Sequence, residues 1–505
     1  MRYVAKYSII HVKYSCMALP ALKSLKPGSS AFNTALRGFK RALSLFHEAA
    51  ERVPAYGDFL RKHGIRHGSI ETAEEFRALP LTDKMNYMSQ YDLRELSWDG
   101  SLGSAKCVST SSGSTGVPHY WPRGHQQDAV INMMIQKIYE DVFNTSTGST
   151  LAVDSFALGQ WIAGFEFYNA TKWTAERGSH IVIVTPGIDK DEAVREIEKL
   201  ARYFDRIVIG GYPPFLKDIV EEGTHIGIDW ATLDVRLLGG GEAVSDFWKD
   251  RMLAMIGRPG EFWRYVSEFG MAEAGVVANE TPLSALLRRY IKDLPKNDFF
   301  PEYENIAGLY QFYPSARYFE ALPDDSLILT SDAGLPLIRY DTRDRGGIFD
   351  YVEALNEAGG EFRTQAGSAH IDVEKWQMPF LYLYGRKDFS VSLYALNIYV
   401  DHVKLSLERS RDAKKLSGLF TMTVRHDEKL DQKFEIAVEL EQGIEIVDVS
   451  GTQLTSDVVA TLCRVNTEYS KLYGTLGERA KPLITLVPFG GLQTIHGRKH
   501  KWFKK

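Results

Sequence analysis

Cysteine is the scarcest reactive side chain in this 505-residue sequence: Cys16, Cys107 and Cys463 are the three, far apart and odd in number. No CxxC pair occurs, which argues against a cysteine-rich zinc site and against a disulfide framework, and fits a reducing, cytoplasmic setting. No apolar run approaches the length needed to cross a bilayer, so no membrane partner is expected. The opening "MRYVAKYSIIHVKYSC" is basic and partly apolar but lacks the continuous apolar core of a signal peptide. An excess of positive charge is also missing. Sixty Lys and Arg against sixty-five Asp and Glu leave a net charge of -5, so no global field points to nucleic acid. The basic ending "GRKHKWFKK" is too short to change that. Internal repeats and low-complexity tracts are absent, as is a GK[ST] phosphate-loop ending. What remains is ordinary for a globular chain, 44% hydrophobic and 25% charged, and long enough for two or more domains.

Apolar periodicity orders the chain. Leu36, Phe39, Leu43, Phe46, Ala50 and Val53 recur at three- and four-residue steps, predicting a helix over 32–53 that Pro54 closes. "IETAEEFRALPLTDK" reads as a short helix and a turn. From 150 to 270, "TLAVDSFA", "HIVIVTPG", "RIVIGGYP" and "DVRLLGGGE" read as buried strands. Between two of them "DKDEAVREIEKLARYF" places Val194, Ile197, Ala201 and Phe204 on one helical face. Ser245 is a plausible N-cap for a further helix bearing Phe247, Trp248 and Met252. Strands alternating with helices predict an α/β layer fold with parallel strands, whose ligands lie at the strands' carboxyl ends. "LILTSDAGLPLIRYDTRDRG" (327–346) reads as strand, turn, strand. Beyond "LYLYGRKDFSV", "GLFTMTVRHDEKLDQKFEIAVEL" reads as two strands about a polar turn and "SDVVATLCRVNTEYSKLYG" as one helix. The expected organisation is a large N-terminal domain, 1–386, of layered, parallel-rich sheets and helices, and a small α+β domain, 387–505.

"VSTSSGSTGVPHYWPRG" (108–124) concentrates Ser, Thr and Gly between apolar segments. A flexible surface loop would use such residues. So would a loop wrapping a phosphate, where glycine lets the backbone approach and N–H and hydroxyl groups donate.

Company in order favours the phosphate. "SSGSTGVPH" resembles the phosphate loop of the adenylate-forming enzymes, with His119 in the usual Lys position. "EFGMAEAG" (268–275) resembles their aromatic-Gly-x-Thr-Glu motif, with Ala272 in the Thr position. "GGGEA" (239–243) corresponds to the turn lining the adenine, "PLIRYDTRDRG" (336–346) to the ribose motif and "YGRKDF" (384–389) to the hinge, followed by "ALNIY" with Ala395 for Gly. Thr-Arg-Asp instead of Thr-Gly-Asp, with "AAERVPAYGDFLRKHGI" and "FRALPLTDKMNY", resembles the phenylacetate–CoA ligase-like branch. The resemblance runs from about residue 45 to the end; tracts 281–318 and 350–378 match no motif.

The resemblance implies ATP-dependent, AMP-forming activation of an acyl or aryl carboxylic acid, then transfer to a thiol such as coenzyme A. An amine acceptor in an amide-forming ligase, or a nucleotide-binding protein that has lost catalysis, stays open. It implies that Ser111, Ser112, Gly113, Ser114, Thr115 and Gly116 hold the phosphates and that Gly240, Gly241, Glu242, Phe269, Gly270, Met271 and Ala272 line the nucleotide. Asp344 would take the ribose hydroxyls, with Arg386 also on the nucleotide. Glu273 would bind Mg²⁺, and Asp388 would be the hinge of a mobile lid. The tail "TIHGRKHKW" resembles Thr-x-x-Gly-Lys, with Arg498 in the Lys position and Lys499 next to it; Lys499 is the expected catalytic cation and Arg498 the runner-up. A homodimer is compatible with this pattern.

Overall fold

The computed structural model describes residues 30–110, 119–159, 162–294, 299–300, 306–386, 390–394 and 396–492. These form two compact units. The first holds the described residues up to Ala105 together with Leu286–Leu383; the second holds Lys106–Ala285 with the described residues from Tyr384 on.

The chain starts in the first unit with α1 (Ser30–Arg52) and α2 (Pro54–Lys62). Pro54 does more than close α1: it stands at the first turn of α2, where a missing N–H costs nothing. The buried stripe of α1 is Phe39, Ala42, Leu45, Phe46 and Ala49, continued by Val53 just past its end, so Leu43 and Ala50 sit at its margin. Thr82, in "PLTDK", is buried and runs beside a later strand of this unit, its N–H donating to the Arg339 carbonyl at 3.1 Å.

In the second unit β1 (Cys107–Thr110) and β2 (Tyr120–Arg123) form an antiparallel hairpin. The helix α3 (His125–Lys137) follows and runs into a π-helical turn, Ile138–Val142. Then come β3 (Thr150–Ser155), α4 (Ile162–Ala175), β4 (Ile181–Val184), α5 (Lys190–Leu200), β5 (Arg206–Gly211), α6 (Pro213–His225), β6 (Val235–Gly239), α7 (Asp246–Met255), β7 (Tyr265–Met271) and β8 (Gly275–Asn279). The sheet order is β4-β3-β5-β6-β7-β8. Neighbours from β4 to β7 pair in parallel and only β8 is antiparallel. The expected α/β fold with parallel strands is therefore present. Ser245 caps α7 by accepting from the Trp248 N–H at 3.2 Å. Trp248 and Met252 are buried behind it while Phe247 is exposed. One face of the sheet carries Leu151, Val153, Ile207, Ile209, Val235 and Leu237 against α5, α6 and α7. The alternate residues face α3 and α4.

The next elements are α8 (Pro282–Ile291), β9 (Gly308–Gln311), β10 (Tyr318–Ala321), β11 (Ser326–Ala333), β12 (Leu335–Phe349), α9 (Tyr351–Ser368) and β13 (Phe380–Arg386). In the first unit the strands order as β10-β11-β12-β13-β9. Gly334, at φ 94°, makes the turn between β11 and β12.

The remainder of the second unit contains the ribbon β14 (Ser390–Leu393) and β15 (Leu396–Tyr399), then α10 (Val400–Glu408), β16 (Leu416–His426), β17 (Gln432–Leu440), α11 (Gly451–Val465), α12 (Thr467–Leu476) and β18 (Leu483–Val487). The last three strands order as β16-β17-β18. Phe420, Ile436, Val458 and Leu462 are among its buried core. The single helix expected over 456–474 is two. Asn466 is extended at φ -132°, and its side chain accepts from the Tyr469 N–H at 3.0 Å, so it starts α12 instead of continuing α11. Among the described residues no helix is long and apolar enough to cross a membrane.

Candidate functional site

Ser111, Ser112, Gly113, Ser114, Thr115 and Gly116 lie outside the described residues; their stem is described. Thr110 pairs with Tyr120 and Cys107 with Arg123, so the loop leaves and re-enters one closed ladder. The stem is anchored from within. Trp121 and Arg123 are buried, at 0% and 1% exposure. The Arg123 guanidinium ion-pairs with Glu166 at 3.1 Å, donates to the Ala272 carbonyl at 2.8 Å, and donates to the Ser109 hydroxyl at 3.3 Å. One planar fork thus joins both strands of the stem, α4, and the turn after β7.

That turn is the one read as "FGMAEAG". Phe269 is buried in β7, Gly270 and Met271 end the strand, and Ala272 and Glu273 form the tip. The Ala274 N–H closes it onto the Met271 carbonyl at 3.1 Å. Gly275 begins β8 at φ 68°, and a Cβ there would lie 2.3 Å from the Glu166 carboxylate. Only glycine satisfies both the backbone angle and the space. Glu273 is 8% exposed. Among the described residues no group of three or more His, Cys, Asp or Glu forms a metal cluster. A single hard carboxylate nevertheless suits Mg²⁺, which takes one or two protein oxygens and draws the rest from phosphate and water.

The parallel strands end together around glycine. Gly210 and Gly211 close β5, and Gly239 closes β6, with Gly240 and Gly241 following it. A Cβ on Gly239 would strike the Tyr265 hydroxyl at 2.1 Å, and Gly241 takes φ 98°. Glu242 follows. Its carboxylate accepts from the Tyr212 hydroxyl at 2.8 Å and from the Gln432 amide, with both oxygens at 2.8 Å.

In the first unit, Asp344 lies on β12 at 8% exposure, its N–H donating to the Thr342 hydroxyl at 3.2 Å. Arg343 beside it is left-handed, φ 63°, where glycine is the easy residue. Its N–H donates to Asp341 at 2.9 Å and its guanidinium pairs with Asp83 at 2.5 Å, which offsets the strain. The segment "PLTDK" is therefore fastened to the ribose-type motif. Arg386 is the last residue of β13. Asp388, Arg498 and Lys499 lie outside the described residues.

The structure brings together, in the second unit, the loop stem, the β7–β8 turn and the glycine ends of β5 and β6. Sequence reasoning missed Arg123, Glu166, Asp154 and Glu268. Asp154 is fully buried at the end of β3; burial pushes its carboxyl up to about 8. Glu268 is pushed up to about 8 by burial, then by the Glu166 charge. The available signal was a lone acid in an otherwise apolar strand, in "LAVDS" and again in "YVSEF", since a buried charge needs a reason.

No protein-family model matches the sequence, and no curated protein sequence matches it. Among solved structures, the chain is similar to 2-hydroxyisobutyryl-CoA ligase in complex with 2-HIB-AMP and CoA in the thioesterification state. The TM-score is 0.63 at 13% identity, over 94% of this chain and 90% of that one. An open conformation of the same ligase with the same ligands gives 0.53 at 14%, over 95% and 96%. The chain therefore has the fold of an acid–CoA ligase along nearly its whole length.

Proposed function

We propose that this chain is an AMP-forming acid ligase of the phenylacetate–CoA ligase-like branch. The observation that carries the reading is the Arg123 fork: it locks the stem of a Ser/Gly loop to a turn presenting a buried carboxylate, Glu273, at the carboxyl ends of parallel strands. That is the arrangement a polyphosphate and its metal require. The named ligands of the structurally similar ligase, an acyl-AMP and CoA, fit the same chemistry.

In the first half-reaction a carboxylate oxygen attacks the α-phosphorus of ATP. The bond to the bridging oxygen breaks and pyrophosphate leaves with the electron pair. Residues 111–116 hold the phosphates with backbone N–H and hydroxyl donors. Glu273 would hold Mg²⁺, which when bound would supply positive charge against the phosphates. Gly240, Gly241, Glu242, Phe269, Gly270, Met271 and Ala272 line the nucleotide, with Arg386. Asp344 accepts from both ribose hydroxyls. Lys499, on the lid that turns about Asp388, balances charge on the α-phosphate and the substrate carboxylate; Arg498 is the runner-up. In the second half-reaction the thiol of coenzyme A attacks the acyl carbon, AMP leaves, and the thiol proton goes to solvent.

Hydroxylamine trapping tests the reading. ATP, Mg²⁺ and a panel of carboxylic acids should yield acyl hydroxamate and pyrophosphate with at least one acid. Dependence of product on coenzyme A separates the thioester ligase from an amide-forming one. Nucleotide binding with no hydroxamate from any acid would leave a binding protein.

A further inference from the structure

The turn between β16 and β17, polar in sequence, is built to dock. Asp427 shapes it: its carboxylate accepts from the Lys429 and Asp431 N–H groups, each at 2.9 Å, and its carbonyl accepts from the Leu430 N–H at 2.9 Å. Leu430 stands at φ 66°, a left-handed angle that comes easily only to glycine. What offsets the strain is the place its side chain reaches. Leu430 is 2% exposed and belongs to the apolar core of α5, α6 and α7. From the other side, Tyr212 and Phe215, at the start of α6, pack with the core of β16, β17 and α11.

Charge surrounds this apolar plug. Asp431 accepts from Lys217 of α6 at 3.2 Å and from Arg479, in the turn after α12, at 3.2 Å. Lys217 is 3% exposed and also reaches Glu221 at 2.8 Å. The Arg479 guanidinium spans Asp431 and Asp218 of α6, holding the latter at 3.0 and 3.3 Å. Arg251 of α7 donates to the Glu428 carbonyl. The next residue, Gln432, is buried; its amide nitrogen donates to both Glu242 oxygens, and its side-chain carbonyl accepts from the Tyr394 N–H at 2.6 Å. The tip is thus fastened to α6, to α7 and to the glycine turn after β6. No step of the proposed reaction uses Lys217, Leu430, Asp431 or Arg479.

The docked tip lies at one end of β17, and the other end holds the tail. There the Leu492 N–H donates to the Glu439 carboxylate at 3.0 Å. From Gln432 to Glu439 the strand covers about 23 Å, and the chain from Leu492 to Lys499 reaches at most about 25 Å. While the tip is docked, Lys499 therefore regains the Glu242 turn only near full stretch. We propose that the tip, 427–431, with Lys217 and Arg479, is a latch that holds the small C-terminal domain in the orientation for acyl transfer, the step that does not use Lys499. This rests on the acid-activating reading and names positioning residues for its second half-reaction.

Two variants open the latch and leave the nucleotide turn alone. Asp431→Asn keeps shape and removes charge; Leu430→Gly relieves the backbone angle and removes the plug. Transfer to the acceptor from a supplied acyl-adenylate, made from the acid that hydroxylamine trapping identifies, should fall about tenfold in kcat/KM, the value of one hydrogen bond to a charged group. ATP–pyrophosphate exchange with the same acid should stay at or above the wild-type rate. A purely structural role would lower both steps together. Equal loss in both, no loss in transfer, or loss confined to exchange overturns the proposal. A second readout needs no acid. Spin labels at Val447→Cys and Phe247→Cys, two exposed positions, are placed in a chain whose native cysteines are replaced by Ser. Pulsed electron paramagnetic resonance should give one narrow distance distribution with the latch intact and a second, displaced population in each variant. That result without exchange from any acid would support the latch while acid activation fails. Superimposed distributions with and without each latch variant would overturn the latch.

Discussion

Arg123→Met is the most informative single change, because it removes one side chain that serves three neighbours, Glu166, Ala272 and Ser109. The guanidinium is 1% exposed and its partner Glu166 6%. Taking away one member of a buried pair leaves the other charge uncompensated and costs about 3–5 kcal/mol. The hydrogen bond to the Ala272 carbonyl is charge-assisted and falls within that figure as about 1.5–3 kcal/mol. At about 2–4 °C per kcal/mol for a body of this size, the transition of the second unit should drop on the order of 10 °C. Differential scanning calorimetry is the suitable assay, since two units need not melt together. A double variant, Arg123→Met with Glu166→Gln, removes the orphan charge and should recover most of the loss. It should not recover pyrophosphate exchange, because the loop stem is still untied from the Ala272–Glu273 turn. Arg123→Lys should fall between, keeping the charge but not the fork. A single variant melting within a degree of the wild type, or a double variant regaining full exchange, would refute the reasoning.

Further outcomes follow from individual groups. Asp344→Ala should weaken ATP binding about tenfold by calorimetry, with the fold intact, if its carboxylate takes the ribose hydroxyls. Glu273→Gln should shift the Mg²⁺ titration of pyrophosphate release to higher concentration; superimposed curves would remove Glu273 as a ligand. Lys499→Ala should cripple pyrophosphate release while leaving transfer from a supplied acyl-adenylate nearly intact, and equal loss in both steps would count against it. The acids Asp154 and Glu268, each pushed up to about 8 by burial, make stability pH-dependent. Between about pH 4 and pH 8 the folded state keeps protons that the unfolded state has lost. Their contribution is therefore whole below about pH 4 and declines as pH rises through 8, by at most about 1.4 kcal/mol per pH unit per group. Urea melts at pH 5, 7 and 9 should show the decline, and Asp154→Asn should flatten it.

The α/β architecture was legible because its strands are continuous apolar runs and its helices carry clean apolar stripes. Val194 and Ile197, or Trp248 and Met252, could be assigned to a face from spacing alone. The glycine turns after β5 and β6 were equally readable, since several adjacent glycines have few other uses at a strand end. Periodicity misled at Asn466, where a side-chain cap broke a pattern that looked continuous, and at Pro54, whose role depends on which helix claims it. In the site, the motifs singled out Glu273 and Asp344, and the structure puts the first in the turn after β7 and the second in β12. The motifs could not find Arg123 or Glu166, because their pairing joins residues 43 positions apart, and only the folded chain brings them together. Nor did spacing explain the Arg343 substitution, whose support comes from Asp83, 260 positions upstream.

The chain enters the first unit, leaves it at Ala105, returns at Leu286 and leaves again after Leu383. This interleaving has a consequence during synthesis. Phe39 and Phe76 lie against the ring of Tyr318, at 6.1 and 6.2 Å. That partner is made roughly 240 residues after Phe76, on the order of ten to fifty seconds later at ribosomal speed. Over that interval the apolar stripe of α1 has no sheet to cover it, while the intervening 180 residues can already begin to assemble the strands from β3 to β8. The first unit is thus begun first and completed after much of the second. Its early helices are the stretch of nascent chain most in need of a chaperone, and slower translation downstream of Leu286 should lower the yield of folded protein more than slower translation after Leu383.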